Sequence, residues 1–156
     1  MTDHVSVERD IRSGADELWA CVADLPRMAE WSPENTGATW LEGADPGAVG
    51  GRFKGTNRHG RKTWSTVGTV VASDPGRAFA FRVKAGPLAV AEWRYAFAQT
   101  GDTTTVVESW TDLRGGLLRL VAPLFTGVKD RPTHNQATME QTLDALQAHA
   151  EATTRP

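Results

Sequence analysis

The chain has 156 residues, of which 40% are hydrophobic and 23% charged, so bulk disorder is excluded and a single domain over residues 1–156 is predicted. The formal net charge is −2, with 17 basic and 19 acidic residues and no long basic tract, so neither nucleic acid nor an anionic membrane is expected as a partner. The single cysteine, Cys21, excludes an internal disulfide. No run of about 18 apolar residues occurs, so no membrane insertion is expected. The N-terminus has no leader pattern, and a cytoplasmic protein is predicted.

The first predicted elements are a strand and two short helices. Apolar and polar residues alternate over residues 5–11, which is typical of a strand with one buried face, and Arg9 falls on that apolar face. Ser13 is expected to cap a helix that ends at the breaker Asp24-Leu25-Pro26. A second short helix is predicted over residues 28–31, before Ser32-Pro33.

Six further strands are predicted between residues 37 and 112, where turn residues separate β-branched and aromatic runs. Most connections are short, which favours an antiparallel meander over a parallel sheet. The strand over 88–99 has the clearest alternation, because its aromatic residues share one face while Glu92 and Arg94 lie on the other. The six predicted strands cover residues 38–42, 52–57, 62–73, 78–83, 88–99 and 103–112.

The last predicted element is a long helix over residues 130–152, with Asp130 as its cap and Pro132 in its first turn. It follows a helical turn or two over residues 117–122. Its apolar stripe matches the apolar face of the sheet, so the simplest fold is an α+β helix grip. In this fold a curved seven-stranded antiparallel sheet wraps around the C-terminal helix, and two short helices follow the first strand. Such a sheet leaves a cavity unless very large side chains fill it.

Motifs of nucleophilic, phosphate-binding and zinc chemistry are absent from the sequence. None of the patterns GxSxG, GxxxxGK, GxGxxG and HExxH occurs, and none of the four histidines has the helical i, i+4 partner of a metal pair. No metal and no cofactor are therefore expected. The glycine-rich segment 43–51 is interpreted as a flexible loop at the mouth of the cavity rather than a phosphate cradle.

Three polar residues fall on otherwise apolar strand faces: Arg9, Asn57 and Glu108. A carboxylate in such a place needs a partner or a set of hydrogen bonds. The hypothesis is that Arg9 and Glu108 pair, or that one of them faces a ligand; the alternative is a strand bulge that turns one or both to solvent. Asn135, on the stripe of the last helix, is either a polar contact for a ligand or a hydrogen-bonding group of the helix start.

The residues expected to line the cavity are aromatic groups of the sheet and residues on the inner side of the last helix. The alternative is that these rings form an ordinary core. Glu108, Asn57 and Tyr95 are the candidate catalytic residues. The predicted ligand-binding set is Trp64, Phe81, Trp93, Tyr95, Phe97, Asn135, Met139, Thr142 and Leu143.

Several segments together resemble the helix-grip superfamily known as SRPBCC, which contains START domains, pollen-allergen-like proteins and polyketide cyclases. They are VSVERDIRSGADELWACVADLPRMAEW, FKGTNRHGRKTW, SDPGRAFAFRV, AEWRYAF, TVVESW and DRPTHNQATMEQTLDALQAHAE. The closest likeness is to bacterial polyketide cyclase/dehydrase-type members, from about residue 5 to residue 151. The resemblance implies a hydrophobic cavity for a small apolar or aromatic molecule; it does not by itself give an activity.

Three functions follow as hypotheses. The first is binding, extending to transport, of a hydrophobic or aromatic small molecule in the cavity between the sheet and the last helix. The second is a cyclase or dehydratase of a polyketide-like substrate, in which Glu108, Asn57 or Tyr95 moves protons or holds an enolate. The third is an interaction module, such as a homodimer formed through a sheet edge or through exposed Trp40 and Trp110.

Overall fold

A computed structural model describes residues 3–154, with one antiparallel sheet, a short pair of helices after the first strand and a long C-terminal helix. The first strand, β1 (His4–Ile11), leads into α1 (Ala15–Ala23) and a 3-10 helix (Leu25–Glu30). The remaining strands are β2 (Asn35–Trp40), β3 (Arg52–His59), β4 (Lys62–Asp74), β5 (Ala78–Ala85), β6 (Leu88–Thr100) and β7 (Thr103–Asp112). The chain continues through α2 (Gly116–Thr126) and α3 (Arg131–Thr154).

The seven strands form one sheet in the order β1-β7-β6-β5-β4-β3-β2, so β1 lies at one edge beside the last strand. All neighbouring strands are antiparallel. The register shifts between Val70 and Ala72 and between Val83 and Lys84, and such irregularities bend strands and increase their twist. The predicted α+β helix-grip fold, with seven antiparallel strands and a C-terminal helix, is confirmed.

The core lies between the sheet and the helices. α3 packs against β1, and α1 lies on β5 and β6. Along β7 every second side chain is buried, as expected for a strand with one face toward a core. Gly68 of β4 lets the ring of Phe53 cross it closely, because a Cβ there would lie 2.2 Å from Phe53 Cζ. The largest fully buried apolar side chains are Phe79, Ile11, Leu18, Leu25, Met139, Leu143 and Leu146.

Three local expectations are corrected by the structure. Gly14, not Ser13, is the N-cap of α1; the Ser13 hydroxyl instead donates to Glu17 Oε2 at 3.1 Å. The 3-10 helix begins at Leu25 rather than residue 28, because a proline is tolerated in the first turn of a helix and Pro26 occupies that turn. α2 has 11 residues and continues past Pro123, so it is longer than the one or two turns predicted.

The two tryptophans proposed as exposed contact residues are not exposed. Trp110 is buried, and Trp40 is partly buried, with its ring edge-on to Phe53 at a centroid distance of 5.8 Å. On its strand, each tryptophan alternates with polar neighbours and points toward the core side of the sheet. These two rings therefore do not offer an exposed surface for a homodimer. Within residues 3–154, no helix combines the length and apolar character that crossing a bilayer requires.

Candidate functional site

A cavity of about 370 Å³ lies between the concave face of the sheet, the beginning of α3 and the inner side of α2. β3 to β7 all contribute side chains to its wall because each presents alternate residues to this face. The 3-10 helix adds Met28, and α2 adds Leu118, Ala122 and Phe125. The aromatic part of the wall consists of Phe53, Trp64, Phe81, Trp93, Tyr95, Trp110 and Phe125.

Seven of the residues predicted for the site are on this wall. They comprise the three candidate catalytic residues, Asn57, Tyr95 and Glu108, together with Trp64, Phe81, Trp93 and Asn135. Their function as ligand contacts or catalytic groups remains a prediction.

Four residues predicted to line the cavity lie elsewhere: Phe97, Met139, Thr142 and Leu143 are buried in the described core but are not on the cavity wall. The cavity occupies only the end of the sheet next to α2 and the first turns of α3. At the other end α1 covers β5 and β6, so the interior there is filled by packed side chains. The inner side of α3 therefore lines the cavity only in its first turns, through Arg131, Asn135 and Thr138, and packs into the core from Met139 onward.

Tyr95 and Glu108 form a buried hydrogen-bonded pair on the cavity wall. They are direct partners across β6 and β7, and the Tyr95 hydroxyl donates to Glu108 Oε1 at 2.8 Å. Burial raises the pKa of Glu108 to about 8, against the opposing effect of the Tyr95 hydrogen bond, and the charge of Glu140 adds to the rise. Burial, with the neighbouring Glu108, also holds the pKa of Tyr95 well above its usual value. At neutral pH the pair is therefore largely uncharged.

Three buried polar atoms on the cavity-lining residues have no hydrogen-bond partner within residues 3–154. They are Glu108 Oε2, Asn135 Nδ2 and Asn35 Oδ1. An unpaired buried polar atom costs roughly 1–3 kcal/mol, so each favours a molecule that supplies the missing bond. The amide of Asn135 can donate, the amide oxygen of Asn35 can accept, and a protonated Glu108 can donate through Oε2.

The hypothesis that Arg9 pairs with Glu108 is wrong, and so is the alternative of a bulge in β1. β1 pairs regularly with β7, with Val7 opposite Glu108 and Arg9 opposite Val106. The long side chain of Arg9 reaches past the core to the polar flank of α3. Its guanidinium contacts Asp144, Glu140 at 3.0 Å and Gln147 at 3.1 Å.

A set of ion pairs that the sequence analysis missed lies at the α2 end of the cavity. Arg131 Nη1 lies 3.0 Å from both carboxylate oxygens of Glu34 and also donates to Asn135 Oδ1 at 3.3 Å. Arg114 binds Asp112 through two hydrogen bonds of 2.9 Å from its guanidinium. The i, i+4 spacing of Arg131 and Asn135 is a sequence signal that could have placed both on one side of α3.

The glycine-rich segment 43–51 does not line the cavity, which corrects its interpretation as a loop at the mouth. It lies against β4 instead: the Ser73 hydroxyl donates to the carbonyl of Gly47, and the amide of Gly50 donates to Val70 O at 2.9 Å. Its three positive-φ glycines, Gly43, Gly47 and Gly50, allow this tight path. α2, by contrast, contributes side chains to the cavity wall.

A curved antiparallel sheet that holds a C-terminal helix around an apolar cavity defines the helix-grip class of proteins. The chain belongs to the polyketide cyclase / dehydrase and lipid transport family, whose match covers residues 2–151. No curated protein has a significant sequence match to the chain.

Solved structures share this fold at low sequence identity. The Polyketide_cyc-like protein Cgl2372 from Corynebacterium glutamicum is 24% identical, with 97% of this chain and 93% of that protein covered and a TM-score of 0.67. Major latex-like protein 151 from Panax ginseng is 17% identical, with 96% and 97% covered and a TM-score of 0.71. The di-domain ARO/CYC BexL from the BE-7585A biosynthetic pathway is 19% identical, with a TM-score of 0.75; 99% of this chain matches 51% of that protein.

Proposed function

We propose that the protein binds a hydrophobic or aromatic small molecule in the cavity between the sheet and α3. The observation that carries the proposal is the cavity itself, about 370 Å³ of space walled by aromatic rings from β3 to β7. Burial of apolar ligand surface contributes about 25 cal/mol per Å², and flat rings give a flat ligand a large contact area. Transport of the bound molecule is the natural extension.

The unpaired polar atoms refine the chemistry of this ligand. Asn135 Nδ2 and protonated Glu108 Oε2 both offer a hydrogen to an acceptor, such as a carbonyl or hydroxyl oxygen, whereas Asn35 Oδ1 accepts from a hydroxyl. A neutral Glu108 favours an uncharged partner over a carboxylate at its side of the cavity, because ionisation there carries a desolvation cost. The proposed ligand is therefore an aromatic or alicyclic molecule that carries oxygen groups, rather than a plain hydrocarbon chain.

A second function is favoured by the Tyr95–Glu108 pair. A carboxyl group whose pKa is about 8 holds its proton at neutral pH and can act as a general acid. When the enol carbon of a polyketide-like chain attacks a carbonyl of the same chain, Glu108 would donate its proton to that carbonyl oxygen, which becomes a hydroxyl. The enol oxygen becomes a carbonyl and releases its proton to water, and Asn57, on the β3 side of the wall, would hold another oxygen of the chain. The cavity would fold the chain so that its reacting carbons meet. The polyketide cyclase / dehydrase family description supports this alternative.

Native mass spectrometry of the purified protein tests the binding function. We expect the mass of the chain plus one non-covalently bound molecule, either co-purified or supplied as 2-naphthol, a neutral aromatic alcohol. A protein that remains ligand-free with excess 2-naphthol and with hydrophobic extracts contradicts the proposal. The enzyme alternative predicts turnover of a poly-β-ketone that is lost in Glu108→Gln while 2-naphthol binding is retained.

A further inference from the structure

α2 has an outer face of large apolar side chains that nothing in residues 3–154 covers. Leu117, Leu120 and Leu124 follow helical spacing on this face and are 74%, 76% and 71% exposed. Phe125 is 66% exposed, and Leu113 lies just before the helix. These five residues, called the α2 patch below, are five of the seven large exposed hydrophobic residues in the described chain. The other two are Val49 and Leu88.

The α2 patch is continuous with the cavity. The opposite side of the same helix, through Leu118, Ala122 and Thr126, forms part of the cavity wall, and Phe125 belongs to both surfaces. α2 buries no residue completely and is bounded by Gly115-Gly116 and by Gly127, whose φ of 73° favours glycine. A single helix with few buried contacts therefore separates the cavity from the outside of the molecule.

Basic residues lie beside the α2 patch. Residues 113–129 contain Arg114, Arg119 and Lys129 but no acidic residue. Arg114 and Arg119 both bind Asp112, and Arg119 also lies 3.8 Å from Asp3, so these two carboxylates offset the charge of the two arginines. Lys129 is exposed and precedes the exposed Asp130. Lys62, at the β3–β4 turn, lies against Gly127 at the end of α2. The positive charge that remains beside the patch therefore comes chiefly from Lys62 and Lys129, at the C-terminal end of α2.

We propose that the α2 patch docks on the surface of an anionic lipid bilayer. An apolar helical face flanked by basic residues has the properties of a helix that lies in the membrane interface. Anionic lipid headgroups attract the lysines beside the patch, Lys62 and Lys129. The purpose of the docking rests on the proposed ligand function: an apolar molecule could then pass between the bilayer and the cavity, beside Phe125, without crossing water.

A second copy of the chain fits the α2 patch less well than a bilayer. A two-fold dimer places the same surface of both copies together, so the cations around one patch would meet those around the other. Like charges brought together across an interface oppose association. An anionic membrane instead satisfies the apolar face and the basic rim together.

Co-sedimentation with lipid vesicles tests the docking. The wild-type protein should bind phosphatidylcholine vesicles containing phosphatidylglycerol more tightly than vesicles of phosphatidylcholine alone, and the binding should weaken with salt. Leu120→Glu should reduce vesicle binding at least about tenfold, because it places a charge on the inserted face. Val49→Glu is the matched control, since Val49 is 63% exposed but lies outside the α2 patch, and it should bind like the wild type.

A charge-reversal pair separates the electrostatic part of the docking. Lys129→Glu should weaken binding to the phosphatidylglycerol vesicles several-fold, whereas Lys54→Glu, on the outer face of β3, should not. Equal binding of the wild type and Leu120→Glu overturns the proposal. So does a wild-type dimer, seen by light scattering, that Leu120→Glu dissociates. Calorimetry of 2-naphthol with Leu120→Glu in the absence of vesicles tests the cavity independently, because Leu120 does not line it.

Discussion

Replacing Ala91 with phenylalanine is expected to abolish binding of 2-naphthol and leave the protein folded. Ala91 lies on β6, two residues before Trp93, and its small side chain is part of the cavity wall. It is 2% exposed, so a ring placed there has only the cavity to enter. The ring then occupies the space in which the ligand would bind, and affinity should fall by about a hundredfold or more, which corresponds to roughly 3 kcal/mol.

The stability of the same variant distinguishes a cavity from a filled core. In a closely packed interior, an added ring forces neighbouring side chains out of their rotamers and costs roughly 1–3 kcal/mol. In a cavity the ring gains contacts that the smaller side chain lacks, and the free energy of unfolding should be unchanged or higher. Calorimetry with 2-naphthol and urea unfolding of the same preparation give the two quantities.

Ala96→Phe is the matched control for this substitution. Ala96 is on the same strand but on its exposed outer side, so the variant should bind 2-naphthol like the wild type. An Ala91→Phe protein that binds 2-naphthol with undiminished affinity contradicts the cavity as the site. A loss of stability of the size expected for overpacking contradicts the empty space.

The second large effect concerns Glu108 and pH. In the unfolded chain this carboxyl ionises near its usual pKa of 4.5, whereas in the folded protein burial holds the proton up to about pH 8. Between these two values the folded state carries one more proton than the unfolded state, so stability falls as the pH rises. The slope is roughly 1.4 kcal/mol per pH unit, which amounts to about 4 kcal/mol between pH 5 and pH 8. Below pH 4.5 and above pH 8 this group adds no further pH dependence.

Glu108→Gln removes this pH dependence because glutamine has the shape of the protonated carboxyl and still accepts from Tyr95. The variant should match the wild type in free energy of unfolding near pH 5 and exceed it by about 4 kcal/mol near pH 8. Urea unfolding at both pH values measures the difference. Glu8→Gln, at an exposed position of β1, is the control for loss of one carboxyl group. A Glu108→Gln protein that differs from the wild type by the same amount at both pH values would show that Glu108 ionises as an exposed carboxyl does.

The fold could be predicted from the sequence because it depends on short-range periodicity. The alternation around Trp93 and Tyr95 in β6 identifies a strand and its inner face, and the spacing of Met139, Leu143 and Leu146 identifies the buried side of α3. One sheet with one apolar face and one long helix with one stripe leave few ways to bury both. The resemblance to the helix-grip superfamily implies the same fold.

The partners within the site could be predicted only in part. Alternation placed Glu108 on the inner face of β7, but strand register decides that Tyr95, rather than Arg9, lies within reach of it. Register depends on long-range pairing, which local pattern does not encode. Likewise, the apolar faces of β6 and α3 give no sign of where packed core ends and cavity begins, so the pattern does not distinguish Phe97 and Leu143, which lie in the core, from cavity residues.

The full length of α2 could not be predicted for a different reason. Its sequence is apolar on the outer face as well as the inner one, so periodicity gives no solvent side from which a helix can be recognised. Pro123, which is expected to end a helix, lies inside it. The composition of the glycine-rich segment 43–51 indicates a flexible loop, but composition does not show which part of the fold such a loop packs against.

The indole N–H signals of the tryptophans give the most direct measurement of cavity binding. The chain has six tryptophans; Trp64, Trp93 and Trp110 line the cavity, and Trp19, Trp31 and Trp40 do not. In a ¹H–¹⁵N spectrum titrated with 2-naphthol, the cavity account predicts saturable shifts of the first three signals and little change in the other three. Shifts confined to Trp19, Trp31 and Trp40, or no shift at all at saturating 2-naphthol, would contradict it.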